Sequence, residues 1–228
     1  AALKLRTGDN PARFKGHLDH LLGKRDRLTR GHFAAMPYRD IPAVMARLRD
    51  VPGFSARALE LTILSATRSN ETLSAQWSEF DLDAATWTIP AARTKMKREH
   101  VVPLSDAALQ VVRDLADKRM SDWVFPSTRP KRPLSNMAMT AVLRRMGIED
   151  ATVHGFRSAF RDWTGDATNF PREVAEEALA HRVGDATERA YRRCSALEKR
   201  RRLMEAWSRY CTTPPSEATV VPLARGVA

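Results

Sequence analysis

The sequence predicts an α+β fold, mainly α, in which one small three-stranded antiparallel sheet sits among helices. Two patterns carry this prediction. Apolar residues recur at three- and four-residue spacing on both sides of residues 80–104, and inside that window the spacing shortens to two. The length of 228 residues is also enough to bury a sizeable core without disulfides or metal staples.

Residues 1–35 are polar and basic with weak periodicity, and we read them as a linker or the tail of a preceding domain. Helical patterning starts at Asp40, a candidate cap for a helix with Ile41, Val44, Met45 and Leu48 on one face. Ser55 is the candidate cap of a second helix burying Leu59, Thr62, Ile63 and Ala66. That helix breaks near Thr67–Asn70, and a short one resumes through Leu73 to Trp77. The period-two window then gives three strands, around Phe80 and Leu82, Trp87 and Ile89, and Val101, Val102 and Leu104. Asp83-Ala84 and the basic loop 91–99 separate them.

Helices return beyond the sheet. Ser105 caps one carrying Leu109, Val112 and Leu115, and Ser135 caps one carrying Met139, Val142, Leu143 and Met146. Another begins near His154, with Phe156, Ala159, Phe160 and Trp163 on its apolar face. Pro171 reads as a first-turn proline of the next. Two more are expected from Asp185 and over Ser195–Cys211, the latter with Leu197, Leu203, Ala206, Trp207 and Tyr210 in a stripe. The folded domain therefore spans residues 36–211, followed by a proline-containing tail, 212–228.

The charge narrows the function. Lys and Arg total 38 against 27 Asp and Glu, a formal net charge of +11, and the isoelectric point is about 10.3. This balance favours a polyanionic partner, nucleic acid first. No stretch approaches the roughly 18 apolar residues of a membrane span, and no apolar leader precedes a small-residue cleavage site, so a soluble intracellular chain is expected. Cys194 and Cys211 have no metal-ligand spacing and read as buried thiols rather than a disulfide or zinc site.

Several polar residues stand where a blander residue would satisfy the local pattern. Arg68 lies at the helix break with Glu71 three residues on, and Lys95 lies between two strands. His154 and Arg157 share a helix face, His181 follows Leu179-Ala180, and Tyr191 comes ten residues later. Singly each is ordinary, since a lone Arg is usually a solvated face and a lone His or Tyr usually structural. Together, in this order, they resemble the catalytic set of the tyrosine recombinases, the phage integrase family, whose pattern is Arg, Lys, His-x-x-Arg, His or Trp, then Tyr.

The resemblance covers residues 36–211 and includes Val102-Pro103-Leu104-Ser105 after the lysine loop and His154-Gly155-Phe156-Arg157. Phe170-Pro171-Arg172-Glu173, Ala178-Leu179-Ala180-His181 and Glu198-Lys199-Arg200-Arg201 look like the branch found in genomic islands and satellite prophages. Ser69-Asn70 departs from the family's small apolar-Gly turn, which Asn accommodates because it accepts left-handed backbone.

The resemblance implies the tyrosine recombinase catalytic fold and a site-specific recombinase that cleaves and rejoins double-stranded DNA through a 3′-phosphotyrosyl link, integrating or excising a mobile element. Arg68 and Arg157 are then the two forks on the non-bridging phosphate oxygens, suited by planar donors that never lose their proton. Tyr191 is the nucleophile, His154 its base, and His181 a hydrogen-bond donor to the phosphate. Lys95 is the general acid for the leaving 5′-oxygen, with Lys97 the competing choice, and Glu71 steadies the cluster. Asp162 and Glu177 are left as structural. No metal and no cofactor are implied, since attack by tyrosine needs neither.

The family reading also implies a bacterial, cytoplasmic, nucleoid-associated location, with no membrane partner. It implies assembly into a synaptic tetramer on attachment sites, an accessory DNA-bending or excision factor, and a core-binding domain before residue 36. Without that domain, DNA binding should be weak, phosphate-dominated and steeply salt-dependent. Two alternatives remain open at this stage. A type IB topoisomerase uses a comparable residue set, and a non-catalytic DNA-binding module would use the basic residues for phosphate contacts alone.

Overall fold

The computed structural model describes residues 35–129, 131–181 and 193–213, with three isolated positions in the N-terminal segment. By its contacts the chain divides into Ala1–Phe33 and Ala34–Ala228, and the elements below belong to the second unit. In order they are α1 (Ile41–Arg49), α2 (Phe54–Ser65), α3 (Ser69–Leu73), β1 (Phe80–Asp81), β2 (Thr86–Ile89), β3 (His100–Pro103), α4 (Asp106–Ala116), α5 (Ala138–Arg145), α6 (Gly155–Ala167), α7 (Arg172–Ala178) and α8 (Arg193–Thr212). The expected helix from Asp185 lies outside the described residues, as does the side chain of Cys194.

Helix α2 is the centre. Nine residues from Ala56 to Ser65 are buried, because α1, α3, α4, α5 and α8 pack around it and leave no face to water. Helix α8 lies against α1, α2, α4, α7 and β3, and its Leu203, Met204, Trp207 and Cys211 are fully buried. Trp207 Nε1 donates to the Ile63 carbonyl at 2.8 Å, a second donor to an oxygen that already accepts the Ala66 N–H at 3.3 Å where α2 ends. The sheet has the expected order β1-β2-β3, antiparallel throughout. Its register sets Phe80 opposite Trp87, whose rings stack at 5.1 Å and 11°, a cross-strand pair that fixes the hairpin.

Helix starts follow the sequence where a side chain makes the cap and depart from it where backbone does. Ser105 accepts from Ala108 N and caps α4 as expected. Asp40 makes no side-chain cap, because it closes a 3-10 turn, Tyr38–Asp40, that runs directly into α1. The start of α2 is capped by position at Gly53, with φ 98°, rather than at Ser55. Ser135 contributes only its carbonyl, to Ala138 N, and α5 starts after Met137. Pro171 stands one residue before α7, at the cap position itself.

The short helix ends at Leu73 instead of running to Trp77. The next residues are drawn off by the 119–126 loop, where Trp77 N donates to Asp122 O and Gln76 pairs with Trp123. The left-handed residue at the break is Ala66, with φ 50°, while Ser69-Asn70 is helical and needs no left-handed backbone. Among the described residues no helix is long and apolar enough to cross a membrane.

Candidate active site

The break after α2 creates the first half of the site. Ser65, Thr67 and Thr72 form a buried hydroxyl chain, at 2.8 and 2.9 Å, that pins the turn. Arg68 follows in extended backbone as the cap residue of α3. Glu71, 2% exposed, accepts the Arg68 backbone N–H at 2.8 Å and its Nη1 at 3.0 Å. One carboxylate thus starts the helix and orients the guanidinium, the acidic half of a capping box.

Arg157, on α6, supplies the second half and is 6% exposed. Its Nη1 donates to the Ala66 carbonyl and its Nη2 to Leu179 O at 2.7 Å, while Arg68 Nη2 reaches Leu179 O at 3.4 Å. Both guanidiniums therefore converge on the turn that leaves α7. Burial, then the neighbouring Arg68 charge, lower the Arg157 pKa to about 10, opposed by Glu71, so it stays cationic at neutral pH.

That turn ends at His181. Ala180 adopts φ 52°, and the His181 N–H returns to Glu176 O at 2.8 Å. His181 Nδ1 lies 2.6 Å from Glu176 Oε2, which leaves Nε2 as the outward nitrogen. Partial burial raises the Glu176 pKa, but the His181 hydrogen bond and the charges of Arg161, His181 and Arg172 outweigh it and hold the carboxyl below its ordinary value.

His154 stands at the N-cap position of α6. Its pKa is lowered by burial and by the charges of Arg157, Arg68, Lys95 and His181. Four of the residues singled out in the sequence thus act on a fifth, and they keep its imidazole neutral and able to accept a proton. Arg68, Glu71, Lys95, Lys97 and His154 line one open groove of about 450 Å³. The loop that brings Lys95 there closes on Thr94, whose hydroxyl accepts the Arg98 N–H at 3.0 Å. Tyr191 lies outside the described residues.

Two neighbours of this cluster escape the sequence pattern. Arg93 anchors the lysine loop, and His100 opens β3 opposite buried Ile89. Burial, the charges of Arg200 and Arg157, and then that of Arg68 lower the His100 pKa to about 3, against an opposing hydrogen bond at the Ala178 backbone. A histidine set opposite a core residue directly after a basic loop is the signal that could have found it.

His100 makes stability depend on pH. Its folded pKa lies below the unfolded value, so its contribution is whole above pH 6.5 and is lost as pH falls toward 3, because the unfolded chain takes up a proton that the fold excludes. Between pH 7 and 5 the loss from this residue is about 1–2 kcal/mol. Urea unfolding of the parent and of His100→Gln at both pH values checks this. The variant should lose less stability on acidification, and an equal loss in both would dismiss His100 as its source.

The sequence profile described as the phage integrase family matches residues 38–198, a span that includes Arg68, Lys95, His154, Arg157, His181 and Tyr191. "Prophage integrase IntA" of Escherichia coli (strain K12) is 38% identical over 175 residues, covering 74% of this chain and 42% of that protein. The "Integrase" of Enterobacteria phage P4 is 32% identical over 201 residues, covering 78% of this chain and 45% of that protein. The chain thus spans less than half the length of these two relatives. The solved structure of a "lambda integrase(75-356) dimer bound to a COC' core site" matches with a TM-score of 0.55 at 16% identity, over 72% of this chain and 63% of that one, which shows a common fold. With the profile matched over most of its length, the chain belongs to the phage integrase family.

Proposed function

We propose that residues 36–211 are the catalytic domain of a site-specific tyrosine recombinase that integrates and excises a mobile element. The observation that carries this reading is the convergence of Arg68, Arg157 and His181 on the Leu179 turn, with His154 and Lys95 acting on the same groove. The partner is double-stranded DNA, on which copies of the chain assemble, in a bacterial cytoplasm. Lambda integrase, with the same fold, was solved as a dimer on a core-site DNA.

Each step follows from the groups present. A guanidinium has five N–H donors, and among the described residues Arg68 and Arg157 each commit only two to the fold. The others are available to the scissile phosphate, whose negative charge grows on the non-bridging oxygens in the transition state. Tyr191 Oη attacks phosphorus and its proton passes to neutral His154. The phosphorus–5′-oxygen bond breaks, and Lys95 protonates the departing oxygen. A 3′-phosphotyrosyl link remains, which a 5′-hydroxyl reverses. His181, oriented through Nδ1 by Glu176, presents Nε2 to the phosphate.

The test is to incubate the chain at low salt with nicked duplexes drawn from the DNA flanking its own coding sequence. The nick lets the cleaved strand diffuse away and traps the adduct. A denaturant-resistant protein–DNA species mapping to Tyr191 is expected, and its absence across those duplexes would sink the reading. Adduct yield should stay within about twofold in excess chelator, since no step calls on a divalent ion.

A further inference from the structure

We propose that Arg93 is a positioning residue for Lys95, holding the β2–β3 loop at a fixed place beside Arg68. The inference rests on the proposed role of Lys95 as general acid. Arg93 Nη1 donates to Ser74 Oγ at 2.7 Å and to the Glu71 carbonyl at 3.1 Å, both at the end of α3. Its Nε donates to Glu79 Oε1 at 2.8 Å, and its Nη2 to Glu79 Oε2. Glu79 Oε2 also accepts Trp87 Nε1 at 2.9 Å. One guanidinium thereby ties the loop to α3, to the Trp77–Glu79 turn and, through Glu79, to β2.

Glu71 makes this more than a brace. Its carboxylate takes Arg68, and its carbonyl takes Arg93. The phosphate-holding arginine and the loop bearing the lysine are therefore referenced to the two ends of a single residue. Between Arg93 and Lys95 stands only Thr94, 3% exposed, whose hydroxyl closes the loop onto Arg98. Lys95 itself is exposed and has a long side chain, so what fixes its reach is the base from which it projects. The bidentate fork needs arginine, because lysine offers a point charge without the paired geometry.

Removing Arg93 alone would leave the Glu79 carboxylate, which is 7% exposed, without this counter-charge and would destabilise the fold. The working variant is therefore Arg93→Met with Glu79→Gln, its folding checked by thermal melting. On the trapping duplex its single-turnover cleavage should fall by about 10–10²-fold, the scale of misplacing a catalytic group rather than losing it, with DNA binding nearly unchanged. In a Lys95→Ala background the same pair should cost nothing more. On a duplex whose scissile 5′-oxygen is replaced by sulfur, the leaving thiolate needs no proton, so Lys95→Ala and the Arg93 pair should both recover.

If the Arg93 pair loses no cleavage, loses as much without Lys95, or stays slow on the sulfur substrate while Lys95→Ala recovers, Arg93 is structural and the proposal falls. If Lys95→Ala alone loses nothing, or gains nothing from sulfur, the general-acid reading fails first and takes the proposal with it. A well-folded variant that loses DNA binding instead of cleavage also overturns it.

Discussion

Tyr191→Phe is expected to reduce covalent DNA adduct by roughly 10⁴-fold or more while leaving DNA binding nearly unchanged, because only the nucleophilic oxygen is lost. The chain has three tyrosines, Tyr38, Tyr191 and Tyr210. Tyr210 donates its hydroxyl to the Tyr38 carbonyl at 3.3 Å, and its ring stacks on Trp207 at 5.9 Å and 19°. Burial raises its pKa, which makes the phenolate nucleophile harder to form. The Tyr38 ring packs against it at 6.1 Å in the same aromatic cluster. Two of the three phenols thus pack against the core around α8, which supports the proposed assignment of the nucleophile to Tyr191. Denaturing gels of the trapped complex, read beside binding at the same salt, check this. Persistent adduct in Tyr191→Phe would transfer the role, and Tyr210→Phe would show whether it had moved there.

The residues that build this site were legible where their meaning is local. Arg68 and Glu71 stand three apart at a helix break, which is the spacing at which a carboxylate can reach both the backbone N–H and the side chain of the cap residue before α3. Ser105 was legible for the same reason, since its cap is made within four residues. What the sequence hides is decided by partners far along the chain. The left-handed turn falls on Ala66 rather than Asn70 because the Ala66 carbonyl is held by Arg157 and the preceding turn by Trp207, both more than 90 residues away. Arg93 looks like one more basic loop residue until Glu79, Ser74 and the Glu71 carbonyl surround it. His100 likewise looks like a strand residue until Arg157 and Arg200 approach.

Arg157 is the residue whose loss should be felt twice. Its guanidinium joins the Ala66 turn, which leads into Arg68, to the Leu179 turn, which leads into His181, so one side chain sets the separation of the other two. Arg157→Ala leaves two buried carbonyls without these donors and should destabilise the fold by about 2–4 kcal/mol. It also removes a preorganised donor from the transition state and should slow single-turnover cleavage by at least about 10²-fold. Arg157→Lys separates the two effects. The ammonium can satisfy one carbonyl and keeps the charge, so stability should recover in part. It cannot bridge both turns and still face a phosphate, so cleavage should remain at least about tenfold down. Urea unfolding and adduct formation on the trapping duplex measure the two losses independently. If Arg157→Lys restored cleavage in full, a positive charge alone would suffice there, and the bridging geometry would have no part in catalysis.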